Sequence, residues 1–393
     1  MSPFDSIICV GQTSWEGPYQ KAVVQLMTEL AARNHRVLYV DYQYTAKDVA
    51  KAVWGRETLP VGRVLRLQDP LLIKSVENGG ELYVWNPAPM LPINWLSANL
   101  HDRLHAWNSR RMLRGLRQTM KRLGMQKPLI INAFNPVYGL SMLSRLNEWA
   151  TIYYCFDEIT ANGWSGRHGS RYEQQYLRRV DAVVTTSETL RRAKETIQPR
   201  TFCVKNGVNF DLFHQAQQVV RPAPESRPII GYLGTADNRI DLRLVAHCVQ
   251  AMPDVDFQFI GKLDDAAILQ QLGGCPNVQF IPPLAPAELP ALLGRMSAAM
   301  IPFTRNEHTY TIYPLKINEY LAAGLPVVST NFSILDDFDG VIERADQPDD
   351  FVAALRRALV DNSSARVTER IQMARNNTWA KRAEEFERVI SQI

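Results

Sequence analysis

The stretch Tyr313-Pro-Leu-Lys-Ile-Asn-Glu-Tyr-Leu-Ala-Ala-Gly-Leu-Pro-Val-Val-Ser-Thr330 constrains this chain most, because it specifies a helix, its stop and the next strand in one run. Pro314 suits the first helical position, where a missing N–H costs nothing. Gly324 can take the left-handed cap and Pro326 bars continuation. These signals predict a helix of about ten residues, then a short buried strand over 327–330. Lys316 and Glu319 are three apart and share a face. A lysine in the first turn sits against the positive end of the helix dipole, which is unfavourable unless an anion is there too. Free backbone N–H groups, the dipole and an ammonium together make a phosphate site. Glu319, one turn on, can accept two hydrogen bonds from a vicinal diol such as a ribose. On spacing alone, a surface ion pair of about 0.2–0.5 kcal/mol remains open as the alternative.

At 393 residues the chain predicts two domains, each able to bury its own core. A net charge of +4 gives no footprint for nucleic acid. The five cysteines, Cys9, Cys155, Cys203, Cys248 and Cys275, are scattered without a Cys-x-x-Cys pair, so neither a disulfide framework nor a zinc site is indicated. No basic leader opens the sequence, and no apolar run is long enough to span a bilayer. The expectation is a cytoplasmic chain.

Ile7–Val10, a loop over 12–17, a helix with apolar positions Val23, Leu26, Met27, Leu30 and Ala31, and Val37–Val40 make a βαβ opening. The loop after the first strand of such a sheet faces the ligand crevice, so Trp15, Gly17 and Lys21 either line the crevice or shape the turn. Further strands read at 129–132, 151–156 and 182–185. Asp157 and Glu158 follow one of them, where a carboxylate either acts as a base or caps a loop. Ser187 is a helix cap. Residues 215–227 collect Gln, Pro and Ser as a linker would. A second strand-helix-strand opening follows at 229–261, with strands at 278–281 and 298–301.

Residues 79–100 carry Trp85, Met90, Ile93 and Trp95 in a proline-broken segment, and a basic helix with Arg103, Arg110, Arg111, Arg114, Arg117, Lys121 and Arg122 comes next. Rings beside cations are what an anionic membrane surface takes up; the alternative is a solvated helix. His101 and His105 are read as helix surface. Asp254-Val-Asp256 has a metal-binding look, but it precedes its strand and Pro253 makes it a turn.

The run from Pro314 to Thr330 resembles the donor-nucleotide motif of family-4-type glycosyltransferases with the GT-B fold. Trp15-Glu-Gly17, Tyr153–Asp157, Asn206–Phe213 and Gly231–Gly234 support it in the expected order, so the resemblance covers nearly the whole chain. The likeness is to bacterial cell-surface polysaccharide glycosyltransferases of the teichuronic-acid type. It implies an α/β architecture of two Rossmann-like domains facing a central cleft. The expected division is an acceptor domain over 1–214, a linker over 215–227, a nucleotide-sugar domain over 228–375, and a final helix over 376–393 that returns to the first domain. It implies a retaining hexosyltransferase without metal or other cofactor, peripheral on the inner face of the membrane, taking a nucleotide-sugar donor and a glycan or lipid-linked acceptor. The expected catalytic residues are Asp157, Arg239 and Lys316. Substrate would be bound by Trp15, Gly17, Arg239, Thr311, Lys316 and Glu319. Arg239 resembles the family's phosphate-binding arginine, unless it pairs with Asp237 or Asp241. Thr311 stands where the family has the first acid of a Glu-x7-Glu pair; Glu307 lies nearby. A sugar-nucleotide epimerase and a non-catalytic nucleotide-sugar-binding relative are the alternatives.

Overall fold

The computed structural model describes residues 3–17, 21–161, 166–220 and 226–393. They divide into a first unit, comprising residues up to Gly17, Lys21–Val204 and Ala383–Ile393, and a second unit, Lys205–Arg382.

The first unit is built on β1 (Ser6–Val10), β2 (Val37–Val40), β3 (Leu71–Lys74), β4 (Leu82–Trp85), β5 (Pro128–Ala133), β6 (Ala150–Cys155), β7 (Ala182–Thr185) and β8 (Thr201–Cys203). Their order is β3-β4-β2-β1-β5-β6-β7-β8. All pairs are parallel except β3 with β4. β1, β2, β5, β6 and β7 are buried along their length, as a parallel sheet covered on both faces requires. The helix Ala22–Ala32 buries Val23, Leu26, Met27, Leu30 and Ala31, the positions its periodicity selects. Residues of the last helix, Trp379–Ile390, are tied to this unit by Glu387, which takes Arg33 Nε at 2.8 Å and His35 Nε2 at 2.9 Å.

The second unit is a parallel sheet of β9 (Ile229–Leu233), β10 (Asp256–Ile260), β11 (Val278–Ile281), β12 (Ala298–Ile301), β13 (Val327–Ser329) and β14 (Glu343–Arg344), ordered β11-β10-β9-β12-β13-β14. In each sheet, the unit's first strand sits where the order reverses, which is the doubly wound arrangement that opens a crevice at the strands' carboxyl ends.

The division falls earlier than the expected boundary at 214. Lys205 onward belongs to the second unit because the short helix Phe210–His214 sinks Phe213 into the second core and Gln217 Nε2 donates to Ala323 O. Of the expected linker, Gln215–Gln218 forms a short helical turn that buries Ala216, while 221–225 lies outside the described residues. The proline-broken segment also hides more than expected. Trp85 closes β4 and is 2% exposed, and Met90 and Ile93 are buried with it.

Candidate functional site

The helix Leu315–Ala322 follows β12 in the second unit. Pro314 is its N-cap, one position before the expected start, with ψ at 113°. The helix ends as the sequence specifies. Gly324 takes φ +73°, its N–H reaches Leu321 O at 2.9 Å, and Leu325 N–H reaches Tyr320 O at 3.0 Å; this is a Schellman stop. Tyr320 Oη accepts the Leu233 N–H at 2.7 Å and fastens the helix to the end of β9. The N-cap supplies no side-chain acceptor, so the first N–H groups of the helix keep their donors.

Lys316 and Glu319 project from this helix into a cavity of about 300 Å3, at the low end of the ~300–1,000 Å3 of small-molecule sites. Gly234, Arg239, Gly261 and Lys262 line it beside the apolar Phe213, Leu284 and Leu289. Gly234 has φ +128°, and a Cβ there would lie 2.4 Å from Lys316 Cε, so the lysine passes where only glycine leaves room. A Cβ on Gly261 would lie 2.4 Å from Gly234 O, which fixes the neighbouring strand end in the same way.

Of the three cations in the lining, Lys262 pairs with Asp264, and Lys316 and Arg239 share the inner space. Lys316 Nζ lies 5.6 Å from the Tyr232 ring centre and 5.8 Å from that of Phe303, and Arg239 Cζ lies 5.5 Å from Phe303. Asp237 holds the Arg239 guanidinium through Nε at 2.8 Å and Nη2 at 2.6 Å. Burial opposes charge on Asp237, but the arginine outweighs it and its pKa is lowered. Burial, reinforced by the Arg239 charge, pushes Lys316 down to about 8 against the opposing carboxylates. Burial pushes Glu319 up to about 7, with Lys316 opposing. Among the described residues, neither Lys316 nor Glu319 has a hydrogen-bond or ion-pair partner. An ammonium and a carboxylate left so in a pocket are a mark of a ligand site.

The other predicted residues are distributed more widely. Trp15 and Gly17 stand in the first unit, in a turn closed on itself: Trp15 N–H donates to Asp41 Oδ1 at 2.6 Å, and Lys21 Nζ donates to Glu16 O at 2.7 Å and to Ser14 O. Asp157, beyond β6, accepts the Glu158 N–H at 2.8 Å. Thr311 belongs to the second unit but not to the lining of the Lys316 cavity; its Oγ1 donates to His308 O at 2.7 Å. Glu307 is exposed. Asp254 is taken by Arg356 and Asp256 by Arg227, so both decoy carboxylates are structural.

His101 and His105 are 1% and 3% exposed, which overturns the surface reading. The helix Gly166–Leu177 brings His168 and Tyr172 against them, and the His101 and His168 rings stack at 4.0 Å. That contact joins residues far apart in sequence and leaves no local signal. The pairing of Arg239 with Asp237, the alternative the sequence left open, is present, while sequence reasoning passed over Gly261 as a wall; a glycine directly after each of two neighbouring strands was the available sign.

Residues 227–361 match the glycosyl transferases group 1 family. With the doubly wound architecture of both units, this makes the chain a glycosyltransferase of the GT-B fold. Among particular relatives, it is 26% identical over 265 residues to a Bacillus subtilis (strain 168) protein assigned to teichuronic acid biosynthesis as the glycosyltransferase TuaH, covering 61% of this chain and 67% of that one. The Burkholderia multivorans α,α-trehalose 6-phosphate synthase superposes with a TM-score of 0.68 at 12% identity, over 99% of this chain and 98% of that chain. An Anabaena protein, Alr3699/HepE, solved in complex with UDP, superposes at 0.63 and 12% identity over 99% of this chain and 100% of that chain.

Proposed function

We propose that this glycosyltransferase takes a hexosyl unit from a nucleoside diphosphate-sugar held by its second unit. It passes that unit, with the retention its family resemblance implies, to a glycan or lipid-linked acceptor of cell-surface polysaccharide synthesis. The observation that carries the proposal is the unpartnered Lys316 and Glu319 pair beside Arg239 at an uncapped helix start. The diphosphate meets Lys316, Arg239 and the helix N–H groups, and Glu319 accepts from the ribose diol. As the bond from sugar to phosphate breaks, charge accumulates on the leaving diphosphate, and fixed cations stabilise that growth more than the ground state. These groups supply the charge without a resident metal. The Anabaena protein of the same fold is solved in complex with UDP, which supports a nucleotide-sugar donor.

The acceptor side is proposed to work at an anionic membrane surface. On the helix Ala98–Leu123, the positions Leu100, Arg103, Trp107, Arg110, Arg114 and Arg117 recur at alternating spacings of three and four and are all exposed. The helix's one carboxylate, Asp102, is taken by Arg171. Trp95, just before the helix, is 71% exposed. No helix among the described residues is long and apolar enough to cross a membrane, so contact would be interfacial.

Two measurements test the transfer reaction. Incubation with a panel of nucleotide sugars should give transfer or slow hydrolysis; epimerisation, or binding without turnover, would replace the proposal with one of its alternatives. Lys316→Ala should weaken UDP or GDP binding by roughly 10–100-fold, the value of a charged hydrogen bond, and leave uridine or guanosine binding nearly unchanged. Equal losses for nucleotide and nucleoside would remove Lys316 from the phosphate.

A further inference from the structure

The first unit buries a cluster of charge that the transfer reaction, as proposed, does not use. Lys194, on the helix Glu188–Glu195, donates from Nζ to Glu173 Oε2 at 2.8 Å and to Glu158 Oε2 at 3.2 Å, and its side chain is 7% exposed. Glu173, on the helix Gly166–Leu177, is 5% exposed. Its other oxygen accepts from Tyr153 Oη at 2.8 Å. Of the three charged groups Glu158 alone reaches solvent, with 24% of its side chain exposed. Burial opposes the charge on Lys194, but the Cys155, Glu173 and Glu158 groups around it outweigh that and raise its pKa, so it is an ammonium at neutral pH.

Buried ions of this kind bind elements together no better than apolar side chains of the same volume, because taking charges out of water costs about what their attraction returns. What they add is direction, since charged hydrogen bonds fix geometry. Here the direction is toward the turn after β6. Three consecutive residues leaving that strand are each held from a different element. Thr186 Oγ1, just beyond β7, donates to Phe156 O at 3.2 Å, and the Cys155 thiol, inside β6, faces Asp157 O at 3.4 Å. Those two contacts reach the backbone; the third, from Lys194, reaches the Glu158 carboxylate.

Glu158 passes that hold to both sides of itself. Its Oε1 accepts the Thr160 N–H at 3.3 Å and Thr160 Oγ1 at 3.2 Å, and its own N–H donates to Asp157 Oδ1 at 2.8 Å. The carboxyl end of a parallel strand faces the crevice in which such sheets do their chemistry. The Lys194 ammonium therefore sets where two carboxylates at that end of β6 stand.

We infer that Lys194 is a positioning residue for glycosyl transfer, acting through Glu158 to fix the turn that carries Asp157. The inference rests on the transfer reaction proposed above.

Steady-state kinetics is the test, with UDP-glucose, UDP-galactose, UDP-N-acetylglucosamine, UDP-glucuronate and GDP-mannose as donors, water as the acceptor and released UDP or GDP as the readout. The variants are Lys194→Met, Lys194→Met combined with Glu173→Gln, which removes both buried charges and keeps their volume, and Glu158→Gln. On the donor that wild type turns over fastest, both Lys194 variants should lose roughly 10–100-fold in kcat, as a group misplaced by about 1 Å does. KM should stay within about two-fold, because the donor is held by the second unit. Glu158→Gln should show the same split, and adding Lys194→Met to it should cost less than about two-fold more, since both changes act on one turn. Thermal melting checks each fold, and the Glu173 combination carries the test if Lys194→Met alone does not fold. A kcat near wild type in a folded Lys194 variant, a silent Glu158→Gln, a rise in KM that accounts for the whole loss, or additive losses from Lys194 and Glu158 would overturn the inference and leave the transfer reaction standing. No release of UDP or GDP by wild type from any donor would defeat the transfer reaction and the inference together.

Discussion

Replacing Lys316 by methionine should make the empty protein more stable while destroying the proposed nucleotide site. Burial and the Arg239 charge take the lysine from its ordinary 10.5 down to about 8. At about 1.36 kcal/mol per unit, holding it protonated at pH 7 costs on the order of 3 kcal/mol. Lys316 is only half-buried by surface area, so solvent screening brings this nearer 1–2 kcal/mol. Methionine keeps the stem that runs past Gly234 and the Tyr232 and Phe303 rings while removing the charge. Glu319, already raised to about 7 with Lys316 holding it down, rises further and neutralises itself.

The sign with pH follows from the same shifts. A lysine lowered by the fold carries its full penalty below about 8, and the penalty fades as pH climbs toward 10.5. Glu319, raised by the fold, carries none below its ordinary 4.5 and the whole of it above about 7. Lys316→Met should thus melt higher at pH 7, by roughly 2–8 °C for a unit of this size, and lose most of the advantage by pH 10, where the wild-type lysine has shed its charge and with it the penalty. Differential scanning calorimetry of the second unit's transition, beside titration with UDP and GDP, measures both effects. A variant that melts lower at pH 7, or melts higher yet binds nucleotide like wild type, refutes the reasoning.

Glu319→Gln should weaken ribonucleotides by about 1.5–3 kcal/mol, the range for hydrogen bonds to charged groups, and leave 2′- or 3′-deoxy analogues less affected; an unchanged ribo-to-deoxy preference in competition binding takes Glu319 off the ribose. Gly234→Ala puts a methyl against Lys316 at a backbone φ of +128°, so a stability loss of about 1–3 kcal/mol should accompany weakened diphosphate binding, read by melting and calorimetry. Exchanging Arg103, Arg110 and Arg114 for Glu should abolish cosedimentation with phosphatidylserine vesicles at low salt and spare nucleotide binding. Arg111 is left out because it stacks on Trp107 and donates to Pro89 O. A wild type that stays in the supernatant, or a triple variant that still pellets, returns the helix to solvent.

The helix that carries Lys316 and Glu319 was legible because it is local. Lys316, Glu319, Gly324 and Pro326 lie within one helix and its stop, and intervals of three and four residues place them before any tertiary contact is known. Strands read from apolar runs came through for the same reason. β3 and β4 did not, since Pro70 and Gly80 precede them and Pro87 follows, so the punctuation reads as loop although β4 is buried. The misplaced histidines show the opposite limit. His101 and His105 sit in a basic helix whose outer face is solvated, and their burial depends on His168 and Tyr172, which only the folded chain brings near. The boundary at 214 failed on Phe213, whose side chain joins the second core while its neighbours look like linker.

Both units place their first strand where the strand order reverses, and what separates their chemistry is how one helix start in each is treated. In the first, Thr45 and Asp48 spend their side chains on the backbone of the helix Ala46–Val53, so nothing there asks for negative charge. In the second, Pro314 has no side-chain acceptor to offer, and a lysine stands in the first turn, where the dipole already disfavours it. Arg239 nearby adds to that strain, and Asp237 is committed to Arg239 instead of to Lys316. A diphosphate would relieve all three at once, supplying charge to the lysine, the arginine and the open N–H groups. The depressed Lys316 pKa and the raised Glu319 pKa are therefore what a site looks like when its stability is set aside for a ligand, and the gain expected from Lys316→Met measures how much was set aside.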